Sequence, residues 1–219
     1  MMRAGKLSNA EWYYLATPKS SKGKGVLVLH AWWGLNPFFK KFCDRLAKAG
    51  FVALAPDLYE GKIATTIEQA KRLRSSPKKE PPDKTILRAI DVLTHHASVE
   101  DSFIGVVGFS MGGHWACWLA QRPNLPIRAT VTFYAARGGN YSHSRSAFQC
   151  HFAETDKWVS AASSKALAKA LGAARRTAEF YTYPDTTHWF IESDRPEAYD
   201  ARAAKLAWRR TIEFLKKHV

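Results

Sequence analysis

The 219-residue chain contains no run of about 18 consecutive apolar residues, the length a helix needs to cross a bilayer, so no membrane-spanning helix is expected. Cysteine is scarce: Cys43, Cys117 and Cys150 are odd in number and far apart, which argues against a disulfide framework and a zinc cluster and fits reduced thiols. Met1 to Glu11 is polar and lacks the apolar core of a secretory signal, so an unexported, cytoplasmic protein without a membrane partner is expected. Acidic residues are also short, 19 against 33 Lys and Arg, leaving a formal net charge of +14. Such an excess raises the question of nucleic acid or acidic lipid as a partner. The basic residues are, however, dispersed in pairs such as Lys40-Lys41, Lys78-Lys79, Arg175-Arg176, Arg209-Arg210 and Lys216-Lys217, with no long run and no nucleic-acid-binding motif. A solvated face is the first reading and a steering field for acidic substrates the second; nucleic acid is not expected as a partner, and nothing indicates an oligomeric state.

Hydrophobic residues make up 46% and aromatics 13%, enough to bury the core of one sizeable domain, and a single domain over 1–219 is expected. Short apolar runs alternate with longer segments of helical period, the signature of βαβ units and a mostly parallel sheet. Expected strands cover Trp12 to Ala16, Gly25 to Ala31, Phe51 to Ala55, Ser102 to Phe109, Ala129 to Ala135, Ala147 to Ala153 and Ala178 to Tyr183. Expected helices cover Pro37 to Ala49, closed by Gly50, then Lys84 to Ala97, Gly112 to Gln121, Ala161 to Leu171 and Glu197 to His218. Residues 1–24 read as a short strand and turn. Residues 58–84, with a short helix near Thr65 to Leu73 and a proline-rich polar stretch, read as a mobile rim.

The strongest local pattern is Gly108-Phe109-Ser110-Met111-Gly112, a G-x-S-x-G pentapeptide between a buried strand and an apolar helix. On a sharp strand-to-helix turn the serine takes a strained backbone conformation, and side chains two residues to either side would collide, so glycine is required there. The turn places Ser110 at a helix N-terminus, where developing negative charge is favoured, and makes the Met111 N–H an oxyanion donor. A serine hydroxyl needs a base and a carboxylate to orient that base; on such turns they follow the serine in the order acid, then histidine. Asp156 and His188 both fall on loops at carboxyl ends of strands, with Glu154 and Asp185 as competing acids. His30 closes the first parallel strand and is read as a core residue, and no histidine-acid pattern supports a metal site.

His30-Ala31-Trp32-Trp33-Gly34-Leu35-Asn36, Pro56-Asp57-Leu58-Tyr59, the pentapeptide, Asp156 and His188 together resemble the dienelactone hydrolase family, from about Val26 to the C-terminus. The resemblance implies an α/β-hydrolase fold: a mostly parallel central sheet of about seven strands, helices on both faces and no large cap. It also implies hydrolysis of small carboxylic esters or lactones through an acyl-enzyme, without a cofactor, and nominates the Trp32 N–H as second oxyanion donor. The best-known members carry cysteine at the Ser110 position and a glutamate just before the Trp32 position, which here is Ala31; the two departures agree, since a hydroxyl nucleophile has no thiol proton to hold. With one strand before Val26, an outer strand of the family's sheet is expected to be missing. The family's substrate-binding arginines have no motif-matched counterparts here; Arg72, Arg74 and Arg137 are candidates only.

Trp33, Tyr134, Trp158 and Trp189 adjoin the expected site loops and are candidate pocket walls, with core filling as the alternative. Two further readings stay open at this stage: a non-catalytic ligand-binding relative that keeps the fold, and an interaction protein using the basic surface.

Overall fold

The computed structural model describes residues 12–219, so the polar segment Met1 to Glu11 lies outside the described residues. Among the described residues, seven strands and six helices follow in the order β1 (Tyr13–Ala16), β2 (Gly23–Leu29), α1 (Pro37–Lys48), β3 (Val52–Pro56), α2 (Ile67–Ser75), α3 (Pro82–Thr94), β4 (Val99–Phe109), α4 (Met111–Ala120), β5 (Ile127–Phe133), β6 (Ala147–Thr155), α5 (Ala161–Ala173), β7 (Ala178–Thr187) and α6 (Ala201–His218). The strands belong to one seven-stranded sheet. The chain divides into two compact units, up to Ile104 and from Gly105, with the boundary inside β4. No helix among the described residues is long and apolar enough to cross a membrane.

In the first unit the strand order is β1-β3-β2-β4. The edge strand β1 runs antiparallel to β3, pairing Tyr13 with Pro56 and Ala16 with Ala53, whereas β2 and β3 are parallel, pairing Gly25 with Val52 and Leu27 with Leu54. Val26 to Leu29 are buried without a break, as expected of a strand covered on both faces. Helix α1 starts where Asn36 accepts from the Phe38 and Phe39 amides and Pro37 supplies a preset φ. It buries Phe38, Phe39, Phe42, Cys43 and Leu46 at helical spacing and ends on Gly50 at φ 101°, a left-handed position suited to glycine. The stretch expected to be a mobile rim contains α2, which opens on a reciprocal capping box between Thr66 and Gln69. The Lys79 amide also donates to Glu60 Oε1 at 2.6 Å, so the segment is tied by its own hydrogen bonds. His30 is buried as expected: its Nδ1–H donates to the Ala31 carbonyl at 2.6 Å, and its Nε2 accepts from the Leu58 amide at 3.1 Å. Burial lowers its pKa, consistent with this neutral tautomer joining the end of β2 to the turn after β3.

In the second unit the order is β4-β5-β6-β7, with β5, β6 and β7 parallel. Strand β6 shows how period-two alternation builds two cores. Phe148, Cys150 and Phe152 join Cys117 and Ala120 of α4 and Leu167 and Leu171 of α5 in one apolar cluster. Burying each large apolar side chain there contributes about 1.5 to 3 kcal/mol. The intervening Gln149 and His151 meet α6 instead: Gln149 Nε2 donates to the Arg210 carbonyl at 3.3 Å, and His151 Nε2 lies 3.3 Å from the Thr211 hydroxyl.

Several boundaries depart from the sequence reading by two residues or more, β4 beginning at Val99 rather than Ser102 and α3 ending at Thr94 rather than Ala97 among them, and three of the departures have a clear local reason. Strand β7 continues past Tyr183 to Thr187 through a register shift against Ala153 and Thr155, and its polar PDTT extension carries no apolar alternation. Helix α6 begins at Ala201 rather than near Glu197, because Asp200 accepts from the Ala203 amide and fixes the start. Helix α3 begins at Pro82, two residues early, since proline fits the first helical turn.

Among the described glycines of the first unit, Gly23 makes the closest backbone approach: a Cβ there would lie 2.1 Å from the Gly50 carbonyl oxygen. Gly172 in α5 has nothing within 4 Å of a built Cβ. Thermal unfolding of the two alanine variants is expected to diverge. Gly23→Ala should lose about 1 to 3 kcal/mol through overpacking, and Gly172→Ala should gain about 0.5 to 1 kcal/mol through helix propensity.

Candidate active site

Ser110 is the residue before α4, with φ 50° and ψ −111°, a conformation L-residues rarely adopt. Its amide donates to the Phe133 carbonyl at 3.0 Å, and its own carbonyl accepts from the His114 amide at 3.0 Å as the first bond of the helix. The glycines make this turn possible. A Cβ at Gly108 would lie 2.3 Å from the Gly112 carbonyl oxygen and 2.7 Å from the Gly113 Cα, and one at Gly113 would meet the Ala135 Cβ at 2.4 Å. Met111, the first residue of α4, presents its N–H at the positive end of the helix dipole beside Ser110.

His188 Nε2 lies 2.9 Å from Ser110 Oγ, and its Nδ1 lies 2.8 Å from Asp156 Oδ2. The other carboxylate oxygen, Asp156 Oδ1, accepts from the Trp158 amide at 2.8 Å and the Val159 amide at 2.9 Å. The carboxylate therefore has its orientation set by backbone before it orients the ring. Both side chains are almost closed to solvent, 4% exposed for His188 and 7% for Asp156. With the carboxylate on Nδ1–H, Nε2 is left as an acceptor for the serine proton. The competing acids are engaged elsewhere or away from the histidine: Glu154 Oε2 accepts from the Asp185 amide at 3.0 Å.

The imidazole is also held by rings. Tyr134 lies 4.6 Å from His188 between centroids, Trp189 meets it edge-on at 4.9 Å, and Trp158 stands at 6.4 Å and 5.9 Å from Trp189. Trp158 is 45% exposed, as a pocket wall can be, but Tyr134 is fully buried. Its ring packs against His188 with no surface open to solvent. In the first unit, Trp32 and Trp33 follow β2, are both buried and pack edge to face at 5.6 Å. Of the candidate arginines, Arg137 bonds through its guanidinium to His114 Nε2, while Arg72 and Arg74 lie on α2.

Sequence reasoning missed Glu192. It is fully buried, and its Oε1 accepts from the Tyr134 hydroxyl at 2.5 Å, which fixes the ring behind His188. Burial pushes the Glu192 carboxyl up to about 8, against the downward pull of the bond from Tyr134, with Asp194 and Glu197 adding to the rise and Arg195 opposing it. Its Oε2 has no hydrogen-bond partner among the described residues, which a neutral acid tolerates better than a carboxylate. Glu192 follows the apolar Trp189-Phe190-Ile191 but opens the polar run Glu192 to Glu197, so nothing local separates it from exposed acids. The cysteines are equally withdrawn: burial raises the thiol pKa of Cys117 to about 11, of Cys150 to about 12 and of Cys43 further still, so none is poised as a nucleophile.

An α/β sheet with a serine on a strained strand-to-helix turn, hydrogen-bonded to a histidine and an acid that follow in that order, defines the α/β-hydrolase class. The profile of the dienelactone hydrolase family matches residues 13–219, and the chain belongs to that family. It is a hydrolase acting on ester or lactone bonds. Protein usf of Aquifex pyrophilus is 34% identical over 216 residues, covering 94% of this chain and 93% of its own. A protein provisionally named carboxymethylenebutenolidase from Aquifex aeolicus is 28% identical over 215 residues, covering 94% and 93% respectively. Among solved structures, a dienelactone hydrolase-like promiscuous phosphotriesterase from metagenomic libraries shares the fold with a TM-score of 0.78 at 22% identity, covering 94% of this chain and 91% of that one.

Glu192→Gln retains an acceptor for the Tyr134 hydroxyl but cannot ionise. A buried acid whose pKa rises from 4.5 to about 8 stabilises fully below 4.5 and loses that contribution as pH climbs through 8. Thermal midpoints measured from pH 4.5 to 9 should therefore fall less steeply in Glu192→Gln than in the native protein; equal slopes would assign the effect to another group.

Proposed function

We propose that this protein is a serine-nucleophile carboxylesterase or lactonase that works through an acyl-enzyme on Ser110. The observation that carries the reading is the continuous chain of hydrogen bonds from Ser110 Oγ through His188 to Asp156, with 2.9 and 2.8 Å links. His188 Nε2 takes the hydroxyl proton as Oγ attacks the carbonyl carbon, and Asp156 stabilises the imidazolium that forms. The tetrahedral oxyanion is met by the Met111 N–H, and the family resemblance nominates the Trp32 N–H as second donor. One such donor is worth about 2.7 to 4 kcal/mol of barrier. His188 then gives the proton to the departing alkoxide, the acyl group stays on Ser110, and a water deprotonated by His188 releases the acid.

The complete relay supports catalysis over a binding protein that merely keeps the fold, because a binder has no need of a strained serine aimed at a buried histidine. Withdrawal of all three thiols supports serine over cysteine chemistry, in keeping with the loss of the glutamate before Trp32. Trp158 and Trp189, packed on each other beside His188, support an apolar acyl or ring portion in the substrate. The scarcity and burial of the cysteines fit the reducing cytoplasm, which we propose as the compartment.

Hydrolysis of a panel of short p-nitrophenyl esters and dienelactone tests the reading. Ser110→Ala should lose turnover down to background with its fold intact, and Asp156→Asn should lose about 10⁴-fold in kcat. Turnover by Ser110→Ala at the native rate would overturn the assignment.

A further inference from the structure

The positive charge is not evenly dispersed in the second unit. Arg128, Arg145, Arg175 and Arg176 line one cavity of about 300 Å³ together with Ser146, Ala147, Thr177 and His218. Its position follows from the topology. Arg128 is the second residue of β5, Arg145 and Ser146 precede β6, Arg175 to Thr177 precede β7, and His218 ends α6. Because β5, β6 and β7 are parallel, these positions share the amino-terminal edge of the three strands. Asp156 and His188 follow the carboxyl ends of β6 and β7. Along the nine residues of β6 the two edges are roughly 25 Å apart, so the cavity is separate from the candidate active site.

Several details mark a built site. Arg175 occupies the position after the α5 cap at φ 52°, where glycine is the usual residue, so an arginine side chain is retained there against a backbone cost of about 1 to 2 kcal/mol. Arg176 is braced, its Nε–H donating to the Ala174 carbonyl at 2.8 Å and its Nη1 to the Ser144 carbonyl at 2.5 Å. His218 Nε2 is enclosed and has no hydrogen-bond partner among the described residues. No acidic side chain lines the cavity. The acid acting on His218 is Glu179, whose carboxylate already accepts from Gln149 Nε2 at 2.7 Å and the Tyr181 hydroxyl at 3.1 Å.

We infer that this cavity binds a small polyanion bearing two or more phosphoryl groups. Guanidinium groups match phosphate oxygens in paired donor geometry. Three neighbouring strands set the arginines across about 10 Å, wider than one tetrahedral anion and within reach of a short phosphoanhydride chain. Ala147 is the single apolar lining residue, so the cavity has no shelf for a base or ring, and recognition rests on the phosphoryl chain itself.

Isothermal titration of the full chain with inorganic tripolyphosphate, ATP and orthophosphate at fixed ionic strength tests this inference. Saturable one-to-one binding is expected for tripolyphosphate, with ATP within a few-fold and orthophosphate much weaker. Replacing exposed Arg145 and Arg175 together by Gln should weaken tripolyphosphate at least about tenfold. Lys40→Gln with Lys41→Gln, which removes the same charge from α1, should leave it unchanged, and ester hydrolysis should be unaffected in both. Absence of saturable binding, or equal weakening by both double variants as diffuse attraction or nucleic-acid binding would give, overturns the inference.

Discussion

A serine backbone at φ 50° and ψ −111° persists only when its surroundings leave no alternative, and the second unit is arranged around that requirement. The Ser110 amide is tied to the Phe133 carbonyl of β5 and its carbonyl to the first turn of α4. The glycines at 108 and 113 clear the space in which the strand becomes a helix within one residue. The hydroxyl is thereby set at the amino end of α4, where the helix dipole and the first N–H groups favour an oxyanion. The 2.9 Å separation between Ser110 Oγ and His188 Nε2 depends on this turn.

Around that turn, buried titratable groups are held neutral. His151, stacked on Phe133 at 4.5 Å and bonded to Gln149 and the Tyr183 hydroxyl, is pushed down to about 3 by burial, with Arg210 acting in the same direction. Glu192 is pushed the other way and joins Tyr134, whose hydroxyl is also held well above its usual pKa by burial. Neutral groups of this kind supply hydrogen bonds and packing without adding charge beside the Asp156 carboxylate. In the proposed mechanism charge movement is confined to Ser110, His188 and Asp156, while the arginine excess lies outside the apolar core.

Much of this was legible in the residues. The apolar runs marked all seven strands, most plainly β2, β3, β5 and β6, which are buried along nearly their whole length, and Gly50 marked the end of α1 by its suitability as a cap. The pentapeptide and the order Ser110, Asp156, His188 led to three side chains that the structure brings into contact. What was not legible depends on contacts distant in sequence. Tyr134 read as a pocket wall, yet its burial behind His188 depends on Glu192, 58 residues later. The Arg175-Arg176 pair read as part of a solvated surface, because nothing local shows that Arg128 and Arg145 reach the same cavity across three strand ends.

The central claim is that Ser110 is the covalent nucleophile. Brief treatment with a fluorophosphonate ester, followed by proteolysis and mass spectrometry, tests it most directly. One phosphonyl group is expected on the peptide carrying Ser110, with His188→Ala suppressing the labelling rate. A label on Cys43, Cys117 or Cys150, or none on Ser110 in active protein, would contradict the account.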